Sequence, residues 1–269
     1  MAKENTGNMN DQRTVIITGA YGAIGKAIAR QIAQMKFRAI LVGRDEAKLI
    51  AAVKEISQLT GNNNLGVEVA DLSVKSSIEA FARRWKGPLH VLINNAATGS
   101  RQRSETPEGI EVQWATNVLG YFWMMSFFCD FMKGSDDARI VNIASYWAGG
   151  LDFTDLEFHR RKYDNDAAYR QSKQADRMLT VAFSRRLKSS GITVNSCHPG
   201  DVNSKLSNSF GFSGHETPDK GAATPVWTAT GPGLKGITGK YYEHLQETEC
   251  SFSRDHAAIE KLYDICLTY

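Results

Sequence analysis

The residues best placed to do chemistry are Tyr169 and Lys173, in the run YRQSK. Four residues apart on a predicted helix, they share one face. A free tyrosine ionises near pH ~10, too high for work at neutrality. An ammonium beside it favours the phenolate and lowers that value, which suits proton transfer to or from a carbonyl or alcohol oxygen. Many surface helices contain YxxxK, so its weight comes from its position between the fifth and sixth predicted strands. Two further polar groups stand close by in that frame. Ser145, in VNIASYWAG, falls just past the fifth strand, at the carboxyl edge where open α/β sheets bind ligands. Asn117, in TNVLG, is an amide inside an otherwise hydrophobic helix.

A second group is suited to phosphate. The first predicted strand runs into TGAYGAIG, so Gly19, Tyr21, Gly22, Ala23, Ile24 and Gly25 form a strand-to-helix turn. Glycines there let backbone approach a pyrophosphate, and the free N–H groups of the next helix favour its charge. At the end of the second strand, LVGRD puts Arg44 where NAD-binding folds usually carry an acid for the ribose 2′-hydroxyl. A guanidinium pairs with a 2′-phosphate instead, so NADP(H) is favoured over NAD(H). Asp45 follows, free either to cap the next helix or to turn inward to a bare ribose.

These groups need a frame, and the chain supplies one by alternation. Apolar runs TVIIT, AILVG, LGVEVA, LHVLIN, RIVNIA and GITVNSC are separated by helix-length amphipathic segments, among them Ala23–Met35, about Gly109–Met132 and Ala167–Lys188. Strands without polar alternation, separated by helices, predict βαβ units and a parallel sheet covered on both faces. The expected fold is α/β, a single-domain Rossmann fold: a doubly wound parallel sheet of about seven strands, spanning 13–269 after a disordered leader over 1–12. A Ser-, Gly- and Phe-rich stretch, 203–218, is expected to be the substrate loop, and a last helix is expected over about Ser253–Cys266.

Composition removes other classes. The 269 residues carry 42% hydrophobic and 23% charged side chains, which fits neither disorder nor a fibre. A net charge of +3 without a basic block gives no footprint for nucleic acid. The four cysteines form no metal-ligand spacing, so no metal site is expected and a reduced, cytoplasmic setting is. The most apolar run, Val118–Met132, is too short to span a bilayer, so no integral membrane segment is expected.

Taken in order, the motifs resemble the short-chain dehydrogenase/reductase family from Thr14 to about Leu206. The resemblance implies an Asn117–Ser145–Tyr169–Lys173 tetrad, with Ser145 holding the substrate oxygen against Tyr169 and Asn117 holding a water that links Lys173 to solvent. It implies an adenine contact at Asp71 and Leu72, and a ribose contact at Asn95, Ala96 and Ala97 of INNAA. Pro199, Gly200, Val202 and Ser204 of HPGDVNSKL would reach the nicotinamide, and Tyr169 and Lys173 would touch the cofactor as well. Two positions depart from the family pattern: Ala23 stands in place of a turn glycine, and Ala97 in place of the glycine of NNAG. The stretch LEFHRRKYDNDAAYRQSKQADRML is similar to the retinol dehydrogenase and WW-domain-oxidoreductase-like branch, which implies a lipidic, retinoid- or steroid-like aldehyde, ketone or alcohol as substrate. Tyr146, Trp147, Phe153, Phe158, Phe210 and Phe212 are candidates for an apolar pocket, and His198 is expected to be structural. Relatives pair the two long helices across dimer interfaces, so a homodimer or homotetramer is expected, with Trp123, Phe127 and Phe131 shielded there. Alternatives are a non-catalytic NADP-binding regulator, which would typically lack Tyr169 or Lys173, and an epimerase or dehydratase, which would need a larger C-terminal domain.

Overall fold

The computed structural model describes residues 13–269; the leader expected over 1–12 lies outside the described residues. The six expected strands form as β1 (Thr14–Thr18), β2 (Arg38–Gly43), β3 (Leu65–Val69), β4 (Val91–Asn94), β5 (Arg139–Ile143) and β6 (Thr193–Cys197). Two more follow, β7 (Tyr241–Glu243) and β8 (Gln246–Thr248). The sheet order is β3-β2-β1-β4-β5-β6-β7-β8, parallel throughout except for the antiparallel β7–β8 hairpin. The expected sheet of about seven strands thus gains one antiparallel edge strand, and an edge strand of that kind is common on such sheets. Chain order reverses between β1 and β4, and ligands bind such sheets in the crevice at that switch.

The helices are α1 (Ala23–Gln34), α2 (Glu46–Thr60), α3 (Lys75–Arg84), α4 (Gly120–Met132), α5 (Asn165–Arg186), α6 (Lys205–Ser209), α7 (Pro218–Thr230) and α8 (His256–Leu267). One apolar cluster joins α1, α2 and α7 to the sheet; the larger one joins α3, α4, α5 and α8 to it. The helix expected over Gly109–Met132 begins later, at Val112, and passes through a π-helical turn over Trp114–Leu119. The last helix starts at His256 and not near Ser253, because Asp255 caps it by accepting from Ala258 N–H at 2.9 Å.

The apolar run needs no second copy to shelter it. Trp123 is 1% exposed within the single chain. Phe122, Phe183 and Tyr263 interlock edge-to-face between α4, α5 and α8, with Arg186 stacked 3.6 Å from the Tyr263 ring. Only Phe127 and Phe131 of the expected interface trio stay half-buried. Among the described residues, no helix is long and apolar enough to cross a membrane.

Candidate active site

The site is built at the carboxyl ends of β1, β4 and β5, and the glycine turn comes first. Gly19 has φ +63°, left-handed, and a Cβ there would stand 2.8 Å from Ala96 Cα. A Cβ on Gly25 would stand 2.3 Å from the Gly19 carbonyl oxygen, so only glycine lets α1 pack this close to the turn. Thr18 then stitches the turn to β4: its hydroxyl accepts from Asn95 N–H at 2.8 Å and Ala96 N–H at 3.0 Å. The Asn95 side chain donates back to the Thr18 carbonyl at 2.8 Å. Gly22 caps α1 without a side-chain acceptor and no acid occupies its first turn, so the positive helix end faces the cleft unneutralised.

That cleft has a volume of about 580 Å³, within the range of cofactor sites. Gly19, Tyr21, Gly22, Ala23, Ile24 and Gly25 line its floor, and Asp71, Leu72, Asn95, Ala96 and Ala97 also line it. Arg44 lines it as well, joined by Lys48, a residue that sequence reasoning passed over. Asp45 points elsewhere: it caps α2, accepting from the Lys48 N–H at 3.1 Å and pairing with the Lys48 ammonium. Tyr21 lies over Gly43, where a Cβ would come 2.5 Å from the ring. The Asp71 carboxylate accepts from Ser73 N–H and hydroxyl at 2.9 and 2.7 Å, which fixes the loop after β3. Two basic groups, an open helix end and a glycine floor suit a dinucleotide, and the two alanine departures, Ala23 and Ala97, fit within the lining.

A second, smaller cavity of about 60 Å³ adjoins the first through Ile24, Ser204 and Leu206. Ser145, Tyr169, Pro199, Gly200 and Val202 line it, with Tyr146, Trp147, Phe210 and Phe212 on its apolar side. Two of the expected pocket aromatics lie elsewhere. Phe158 is buried under the Arg161 guanidinium, 4.0 Å from its ring, and Phe153 packs under Lys261. The expected loop over 203–218 is partly helical: Ser204 caps α6, its hydroxyl accepting from Ser207 N–H at 3.1 Å. The Phe210 ring then closes on Tyr169 at 4.7 Å.

Tyr169 and Ser145 line the same small cavity, and burial holds the Tyr169 phenol well above the usual range while the nearby Ser145 hydroxyl pulls the other way. Ser145 in turn accepts from Trp147 N–H at 3.1 Å, and the Arg177 guanidinium donates to the Ser145 carbonyl at 2.6 Å. Lys173 is 1% exposed and lines neither cavity. Its ammonium donates to the Ile143 carbonyl at 2.9 Å and to Asp176 at 2.8 Å, and lies 5.8 Å from the Tyr169 ring centre. The structure thus pairs it with Tyr169 but turns it away from the cleft, because Asp176, one turn on, draws it inward.

Asn117 sits in the π-helical turn, fully buried. Its amide is spent on protein partners: Oδ1 accepts from Thr98 N–H at 2.8 Å, and Nδ2 donates to the Thr98 carbonyl and the Ser172 hydroxyl at 3.1 and 3.2 Å. It therefore clamps the loop after β4 to α5. Gln113 does the same one turn earlier, donating to the Tyr163 hydroxyl at 2.7 Å and to Asn165 Oδ1 at 2.9 Å. His198 is buried edge-on to Tyr146 at 4.8 Å, and burial pushes its pKa down to about 4. Asp176, Arg177 and Lys48 were invisible as site residues in the sequence, since their roles depend on partners remote in the chain or on which way a helix faces.

Residues 13–211 match the family profile described as short chain dehydrogenase. Retinol dehydrogenase 13 of Mus musculus is 36% identical, over 87% of this chain and 76% of its own length. Retinol dehydrogenase 12 of Homo sapiens is 34% identical, over 94% of this chain and 84% of its own. A solved structure of an uncharacterized protein from Mycobacterium paratuberculosis superposes with a TM-score of 0.79 at 27% identity, covering 96% of this chain and 94% of that one. From the family match and these relatives, the chain belongs to the short-chain dehydrogenase/reductase family, in the branch that includes the retinol dehydrogenases.

Proposed function

We propose that the protein is an NADP(H)-dependent oxidoreductase that moves hydride between the nicotinamide and an apolar, retinoid- or steroid-like carbonyl or alcohol. The observation that carries the reading is the placing of Ser145 and Tyr169 in one cavity that adjoins the glycine-lined, basic-ended cleft. Gly19 to Gly25 and the α1 N-terminus would hold the pyrophosphate. Arg44 and Lys48 would hold the 2′-phosphate, Asp71 and Leu72 the adenine side, and Asn95 to Ala97 the ribose. Pro199, Gly200, Val202 and Ser204 would lie along the nicotinamide end. When bound, the cofactor supplies the hydride in reduction and takes it up in oxidation.

The chain's own residues handle the proton. In reduction, the Tyr169 hydroxyl gives its proton to the substrate oxygen as hydride reaches the carbon, and Tyr169 is then reprotonated from solvent. Ser145 donates to the same oxygen and keeps it against Tyr169. In oxidation the phenolate accepts the alcohol proton. Lys173 places positive charge under the ring, and Asn117 holds the segments that carry these groups. General acid–base assistance of this kind contributes ~10²–10⁴-fold. Tyr146, Trp147, Phe210 and Phe212 favour an apolar substrate, in keeping with the retinol named for the relatives.

A cytoplasmic location and a homodimer belong to the same reading, although Trp123 no longer argues for a partner copy, and Phe127 and Phe131 are what remain for one. The direct test is a screen of aldehydes, ketones and alcohols, followed by NADPH absorbance. Turnover of an apolar carbonyl supports the reading, and a complete absence of turnover across all three classes would count against it.

A further inference from the structure

One turn beyond Lys173 on α5 stands a carboxylate that the proton-transfer scheme does not use. The Asp176 side chain is 0% exposed, and its Oδ2 accepts from the Lys173 ammonium at 2.8 Å. Its other oxygen, Oδ1, is buried with no hydrogen-bond partner. Replacing a buried ion pair by apolar residues is often neutral or stabilising, so the pair is poorly explained as a device for stability. An unbonded oxygen on a buried carboxylate weakens that explanation further.

The surroundings narrow its effect. Tyr121 on α4 and Cys266 on α8 face Asp176, and burial raises both so that they stay neutral. Tyr169 faces it from α5 itself. Arg177, next along the helix, turns instead to the Ser145 carbonyl, the Tyr241 ring and Glu243. Among the described residues, Lys173 is the one cation paired with Asp176. Burial pushes the Asp176 carboxyl up to about 7, against the pull of Lys173. At the alkaline pH where a tyrosine ionises, the group is therefore a carboxylate.

An ammonium beside a phenol favours the phenolate, and a carboxylate bonded to that ammonium cancels much of the effect. We propose that Asp176 is a positioning residue for Tyr169: it holds the Lys173 ammonium inward, against the Ile143 carbonyl, and offsets its charge, thereby setting the pH at which Tyr169 gives up its proton. The inference rests on Tyr169 being the proton-transfer group of the proposed reaction.

Asp176→Asn tests it, because the amide oxygen still accepts from Lys173 while the negative charge is gone. Tyrosinate absorbance is followed against pH without substrate or cofactor. The Tyr169 step is identified by its loss in Asp176→Asn/Tyr169→Phe. It is expected to fall by about 1–3 pH units from wild type, and the rising limb of alcohol oxidation is expected to move with it. A carboxylate that merely holds the fold would lower the melting temperature and leave the Tyr169 step in place, and that result overturns the inference. Should the Asn variant fail to fold, Asp176→Ser, which leaves room for water, is read in the same way. A shifted tyrosinate step in a protein that turns over no carbonyl or alcohol upholds the role of Asp176 and removes the hydride-transfer reading.

Discussion

The Asp45 carboxylate accepts a hydrogen bond from the Lys48 N–H at 3.1 Å, which commits it to capping α2 and leaves Arg44 and Lys48 lining the cleft together. The acid nearest the end of β2 is thus unavailable to a ribose hydroxyl. A 2′-phosphate would meet the Arg44 guanidinium and the Lys48 ammonium, the second of them already paired with Asp45. Both side chains are exposed, so solvent weakens each contact. Arg44→Ala is expected to weaken NADPH binding roughly tenfold and to leave NADH almost unchanged, with Lys48→Ala acting in the same direction. Fluorescence titration of the wild type and both variants with each cofactor checks this; a wild type that binds NADPH and NADH equally would contradict it.

Phe210 closes on the Tyr169 ring at 4.7 Å, while the cavity beside it measures only about 60 Å³. An apolar substrate of any size must displace that ring. Phe210→Ala is expected to lower KM severalfold for bulky aldehydes and to change it little for short ones. Steady-state kinetics across a chain-length series reads this directly. Equal effects on all chain lengths would show that Phe210 does not gate the pocket.

His198 gives the fold a dependence on pH. The unfolded imidazole takes a proton near 6.5, whereas burial in the native chain delays this to about 4. Protons therefore favour the unfolded chain between those values. Stability from this group is complete above 6.5 and is lost as pH falls towards about 4, with a total on the order of 3 kcal/mol. The melting temperature should fall with pH over this window, more steeply in wild type than in His198→Asn. Parallel curves for the two proteins would remove His198 as the cause.

The sequence carried the sheet and most of the cleft because those features are local. Six strands were legible as mostly apolar runs, and the turn from Gly19 to Gly25 announced itself by glycine spacing. The edge hairpin was not: β7 and β8 are three residues each, and Gln246–Thr248 is polar. Helix α7 was missed because Pro225 lies inside it and Gly221 near its start, both ordinarily breakers. Trp123 misled for a different reason. A helix apolar on all sides is buried, but nothing in its pattern says whether its own chain or a second copy does the burying. The inward turn of Lys173 depends on the Asp176 carboxylate having no other partner, which only the packed structure reveals.

The central claim, that Tyr169 moves the proton in a nicotinamide-dependent reaction, is tested most directly by Tyr169→Phe. The change removes one hydroxyl from a ring that packs on Phe210 and shares its cavity with Ser145. NADPH affinity and turnover are to be measured on the same preparation. Affinity within about threefold of wild type, with turnover reduced ~10²–10⁴-fold, is the expected result. Turnover within a few-fold of wild type would contradict the account.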